Sequence, residues 1–110
     1  KTITHSDNGI TFLLDGGTGV AITLPAPKTG MKIKFITALA FTTDYVITAT
    51  GAIMHGSFME AGVVQLCAAG TTLTLEDGTE ALGDYIDMVS DGTSWFVGGN
   101  FSTAASITVA

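Results

Sequence analysis

The chain has 110 residues with four Lys, no Arg and ten Asp or Glu, giving a formal net charge of −6, and only 13% of its residues are charged. That balance offers no positive surface for nucleic acid phosphates, and its longest apolar runs, such as "FITALAF" at 35–41, fall far short of the ~20 residues of a membrane-crossing helix. Neither nucleic acid nor membrane is therefore expected as a partner. The length suits a single domain over 1–110 that buries roughly two-thirds of the surface of its extended chain, and a mean hydropathy of +0.49 leaves apolar surface to spare.

Fourteen glycines punctuate short segments rich in β-branched residues, which is an all-β pattern. In chain order, strands are predicted near 2–5, 10–14, 20–24, 31–38, 45–50, 62–67, 71–75, 84–90, 94–98 and 106–109. Between the second and third of these, "LDGGTGV" at 14–20 reads as a Gly-rich hairpin loop. It shares letters with the phosphate-binding turn of actin and the sugar kinases, but the further phosphate motifs of that larger fold are missing. In "VAITL", Val20, Ile22 and Leu24 share a face, and Pro25 and Pro27 then turn the chain. In "MKIKF", Met31, Ile33 and Phe35 share one face while Lys32 and Lys34 share the other. With Lys28 they form the one basic stripe, a candidate contact for an acidic patch of a neighbouring copy or another protein.

The single cysteine, Cys67, excludes an intrachain disulfide, and its "VVQLCAA" setting reads as a buried thiol. The acids of "EDGTEALGDYID" (Glu76, Asp77, Glu80, Asp84, Asp87) follow no calcium-loop spacing and read as solvated turns. His5 and His55 hold no metal-ligand spacing with Cys67 or nearby acids. Ser57 lies close to His55 in "MHGSFME", but a nucleophile elbow is missing and neighbouring strand residues point apart. No catalytic residue, metal ligand or cofactor site is expected.

In "YIDMVSDGTSWFVGG" at 85–99 a two-residue turn at Asp91-Gly92 would set Met88 opposite Trp95 and Ile86 opposite Val97. One face is then Ile86, Met88, Trp95 and Val97, making the only tryptophan a core anchor. Alternating faces on eight to ten short strands need a facing layer, so the expected fold is an antiparallel β-sandwich, jelly-roll-like.

The order "ITLPAPKTGMKIKFITA", "YVITATGAIMHG", "LGDYIDMVSDGTSWFVGG" resembles a β-domain of tailed-bacteriophage structural proteins, among them capsid decoration proteins and tail-fibre segments. The likeness covers about 15–100 and rests on Leu24-Pro25, the strand with Phe35, and the 90–95 turn with its closing glycines. These are turn and core positions, so what it implies is a virion setting without functional residues to transfer. The expectation is a non-enzymatic cement protein on the capsid exterior that binds the major capsid protein and itself, as a homotrimer. The rival is a fibre or spike domain reading host glycans through aromatic residues such as Tyr45 and Phe58. The sequence opens on Lys1 without a signal-peptide pattern, as a segment of a longer chain or a processed product would.

Overall fold

The computed structural model describes residues 1–15 and 21–110. Its strands are β1 (Thr11–Leu14), β2 (Ala21–Leu24), β3 (Lys32–Thr37), β4 (Tyr45–Ala49), β5 (Met54–Glu60), β6 (Val63–Gly70), β7 (Thr72–Leu75), β8 (Tyr85–Ser90), β9 (Trp95–Phe101) and β10 (Ile107–Val109). They form a six-stranded sheet in the order β1-β3-β8-β9-β5-β6 and a four-stranded sheet in the order β10-β7-β4-β2. The two pack face to face as an all-β sandwich around one apolar cluster, to which β3, β8 and β9 give Phe35, Ile86 and Trp95, and β4 and β7 give Ile47 and Leu73. Such a core forms because alternation places every second side chain inward.

Both sheets are mixed rather than uniformly antiparallel: β1 runs parallel to β3, β2 to β4 and β5 to β9. The cause is the path of the chain. It leaves one sheet for the other after β1, returns for β3 and leaves again for β4, so alternate strands enter the same sheet in the same direction. Among the described strands, only β5–β6 and β8–β9 are consecutive and paired within one sheet. The antiparallel two-Greek-key pattern of a jelly roll is absent among the described strands.

The β8–β9 hairpin keeps the expected faces with a different turn. Met88 stands opposite Val97 and Ser90 opposite Trp95, a shift of two residues that leaves inward and outward sets unchanged. Asp91 causes it: its Oδ1 accepts the amides of Thr93 at 2.9 Å and Ser94 at 2.8 Å, closing a four-residue loop with Gly92 at φ 96°.

Elsewhere 2–5 forms a single parallel bridge, Thr2 to Thr23, and then a 3-10 turn at His5–Asp7, because the Asp7 carboxylate draws in the Thr4 amide at 3.0 Å. The "LDGGTGV" turn lies largely outside the described residues. Its flanking strands β1 and β2 belong to different sheets, so they do not make the expected hairpin. Strand β5 was not anticipated. It turns into β6 through Ala61 (φ 49°) and Gly62 (φ 81°), the doubly positive pair of a type I′ turn.

Candidate interaction surface

Register fixes what the outer side of the six-stranded sheet presents. One row across it runs Leu13, Ile36, Tyr85, Asn100, Met59, Val64; the next runs Thr11, Lys34, Asp87, Gly98, Ser57, Leu66; a third holds Lys32, Val89, Phe96 and His55. The face therefore divides. Charge collects over β3 and β8, and apolar side chains collect over β9, β5 and β6.

On the charged half, Lys34 Nζ lies 3.7 Å from Asp87 Oδ1 and 4.8 Å from the Tyr85 ring centroid. Both ions are well exposed, so this pair contributes under about 1 kcal/mol. Lys32 is exposed beside it, whereas Lys28 sits in the loop before β3, where its carbonyl accepts the Met31 amide at 3.1 Å. Thus Lys32 and Lys34 meet on one face as the alternation required, and Lys28 stands apart. Next to them a shallow depression of about 450 Å³ runs from Gly9 to Phe96, opened by the missing side chain of Gly98.

The apolar half ends at β6, which pairs only with β5 among the described strands. This edge is eight residues long and carries no charge. Val63, Val64 and Leu66 are 69%, 63% and 68% exposed. Unpaired strand amides and carbonyls with apolar side chains are a template for another chain, and proteins ordinarily blunt them with charge, proline, bulges or a covering segment. Here the contrast is internal. The β2 edge is covered by the N-terminal segment, with Ile3 N donating to Thr23 O and Thr23 N to Lys1 O, both at 2.9 Å. On β6 the irregularity falls at the far end, where the register slips opposite Met54 and Gly56 and Ala69 takes φ 57°.

The acidic segment is built into the fold more deeply than solvated turns would be. Asp84 is buried; its Oδ1 accepts Ser102 N at 3.1 Å and its Oδ2 accepts Ala81 N at 3.0 Å. Glu76 Oε1 accepts the Thr108 hydroxyl at 2.6 Å, and Glu80 accepts Phe41 N and Gly78 N, each at 2.7 Å. Asp84 and Glu80 thereby satisfy loop amides outside the strand ladders, and Glu76 ties its loop to a β10 side chain. Among the described residues no group of three or more His, Cys, Asp or Glu is placed to hold a metal ion.

Desolvation raises the Glu80 carboxyl, but backbone N–H donors from Glu80, Phe41, Gly78 and Thr79 together outweigh it and hold it below the usual range. A depressed folded-state value means that its stabilisation is full above the ordinary glutamate range and is lost as pH falls through the lowered one. Melting temperatures measured across that acid range are expected to fall more steeply for the parent than for Glu80→Gln. Parallel curves would show that the cap contributes nothing.

His5 Nε2 is 2.8 Å from Ala26 O, far along the chain from His55, whose ring lies 6.2 Å from that of Phe96. His55 and Ser57 share the outward face of β5, since their β9 partners Phe96 and Gly98 are two residues apart; they do not point apart, yet no hydrogen bond joins them. Cys67 is buried, as expected. Desolvation raises its thiol, partly offset by the Gly70 amide, and Sγ donates to Met54 O at 3.4 Å, so it is no ready nucleophile. Tyr45 and Phe58 are 3% and 1% exposed, which corrects their reading as exposed aromatics: neither can stack on a sugar in this fold.

No family model, curated protein or solved structure matches this chain. Its surface is thus the ground for a functional reading beside the phage resemblance. The β6 edge escaped sequence reasoning because its openness depends on which strands are neighbours, which hydrophobic alternation does not encode. The absence of any charge from 61 to 75 was the signal that could have found it.

Proposed function

We propose that this chain is a non-enzymatic structural protein of a tailed-bacteriophage virion, a cement or decoration protein that acts as a homotrimer and binds the outside of the major capsid lattice. The observation that carries the assembly part is the open β6 edge, long, uncharged and flanked by Val64, Leu66 and Met59 on the outer face. A strand from a capsid subunit laid along β6 would gain main-chain hydrogen bonds and cover those side chains. The rest of the apolar half, with Phe96, serves contacts between copies, where a symmetric interface buries the same patch repeatedly. The virion setting and the number three rest on the sequence resemblance.

Light scattering on the purified protein at micromolar concentration is expected to give three copies, and added capsids to carry the protein down on sedimentation. Val64→Lys, at an exposed position on the edge, should leave the domain folded and abolish capsid binding. A monomer that joins capsids singly contradicts the trimer; a Val64→Lys protein that still binds capsids contradicts the use of β6.

A further inference from the structure

Gly98 is a glycine that its strand does not need. It lies within β9, is not among the glycines with positive φ, and a methyl group there would meet only Ser57 O at 3.8 Å, an ordinary contact. At the neighbouring Gly99, by contrast, a methyl group would run into the Tyr85 carbonyl. The ladders on both sides pass through Gly98 without a shift in register, so it marks no bulge. Close approach of a ligand is the remaining reason for a glycine inside a strand. The opening it leaves is the depression of about 450 Å³ on the charged half of the outer face. Two rows of its lining run side by side: Lys32, Val89 and Phe96 form one, and Lys34, Asp87 and Gly98 the next, about 7 Å away along the strands. These lysines do not guard an edge, because β3 is paired on both sides, with β1 and β8. Lys34 answers Asp87 at 3.7 Å, whereas Lys32 has no carboxylate partner among the described residues.

We propose that this depression binds a sugar ring carrying a carboxylate, a uronic acid unit. Its volume falls among those of small-ligand sites, which are largely apolar with a few placed polar groups. The carboxylate meets Lys32, the C–H face of the ring covers Val89 and Phe96 across the bare backbone of Gly98, and the hydroxyls use Asp87 as acceptor and Lys34 as donor. Other occupants use only part of this lining. An inorganic anion or the side chain of a Glu would answer Lys32 and leave Val89 and Phe96 uncovered, and a neutral sugar would leave Lys32 unanswered. The depression lies on β3, β8 and β9, away from the β6 edge proposed for capsid binding, so sugar binding is an activity additional to assembly. Phe96 also borders the surface proposed for contacts between copies. Lys32, Lys34 and Val89 lie outside that surface, on β3 and β8, so the depression stays open on their side.

The test titrates sodium glucuronate, glucose, sodium benzoate and a capped Gly-Glu-Gly peptide separately into isotope-labelled protein at near-physiological ionic strength. Glucuronate is expected to shift the amide resonances of 32–34, 87–89 and 96–98 with a dissociation constant of about 1 mM, the strength of a small ring held by few contacts. Glucose should bind about tenfold more weakly, for want of the charge-assisted contact to Lys32, and Lys32→Gln should erase that difference. Gly98→Val fills the depression from its floor at a position where the strand accepts a side chain, so it should melt no lower than the parent and lose glucuronate binding. Equal affinities for glucuronate and glucose, no saturable binding of glucuronate, or shifts centred elsewhere would each overturn the proposal. Benzoate or the Glu peptide binding there as tightly as glucuronate would also overturn it, the first by showing an aromatic acid site and the second a contact for protein carboxylates. The Lys32→Gln comparison stands even if Gly98→Val folds poorly. Failure here combined with successful capsid sedimentation would remove the sugar and leave the virion reading intact.

Discussion

Replacing Trp95 by Ala is expected to cost about 3–5 kcal/mol of folding stability, the range seen when a large aromatic is cut from a packed core. Trp95 is fully buried at the start of β9, the strand held between β8 and β5; it faces Ser90 on one side and Met54 on the other, and its amide donates to Ile53 O at 2.9 Å. Loss of the ring therefore opens a cavity beside the two strand pairs that connect the sheet's halves. Its indole N–H has no partner among the described residues, so Trp95→Phe forfeits no hydrogen bond and should be much milder. Thermal unfolding checks both: at about 4–8 °C per kcal/mol for a domain near this size, the alanine variant should melt well over ten degrees lower. Coincident melting of Trp95→Ala and the parent would contradict the packing described here.

An effect of similar size is expected from adding a single methyl group at Gly56. This residue bridges Val97 in β9 and Cys67 in β6 where the β5–β6 register slips, and its φ is 146°, a region closed to residues with a Cβ. A methyl group there would collide with the Val97 carbonyl oxygen and lie 2.9 Å from its carbon, so β5 and β9 would have to part in mid-sheet. Gly56→Ala should lose about 3 kcal/mol or more, strain and broken pairing together. Chemical denaturation gives the number. A loss within the scatter of surface substitutions would mean that β5 does not run beside β9 in this register.

Those two residues mark what was legible. Alternation placed Trp95 inward with Ile86, Met88 and Val97, and it stayed right although the turn was longer than expected, because a two-residue slip preserves faces. Gly56 was not legible, nor was its strand: "MHGSFME" contains no β-branched residue, and what holds it as a strand is pairing on both sides with β6 and β9. For the same reason the parallel pairs were hidden, since periodicity reports which face is buried and is silent about which strand lies alongside. Phe58 was misplaced because its strand was missed. Tyr45 begins a strand whose alternate residues Ile47 and Ala49 are also buried, so its face was readable once that strand was assigned to the core. The acids of 76–87 looked solvated because their partners Phe41, Ser102 and Thr108 lie far away in sequence. Glu60 stood outside that cluster, and only the fold shows that it is enclosed.

As proposed, this sandwich works by assembly on a capsid and not by chemistry. The direct measurement is the copy number of this chain relative to the major capsid protein in purified phage particles, the setting proposed for it. A fixed ratio set by the lattice, lost on Val64→Lys together with the particles' resistance to heat, is what the account predicts. Absence of the chain from particles that are otherwise complete, or its confinement to a few copies at the tail, would contradict it.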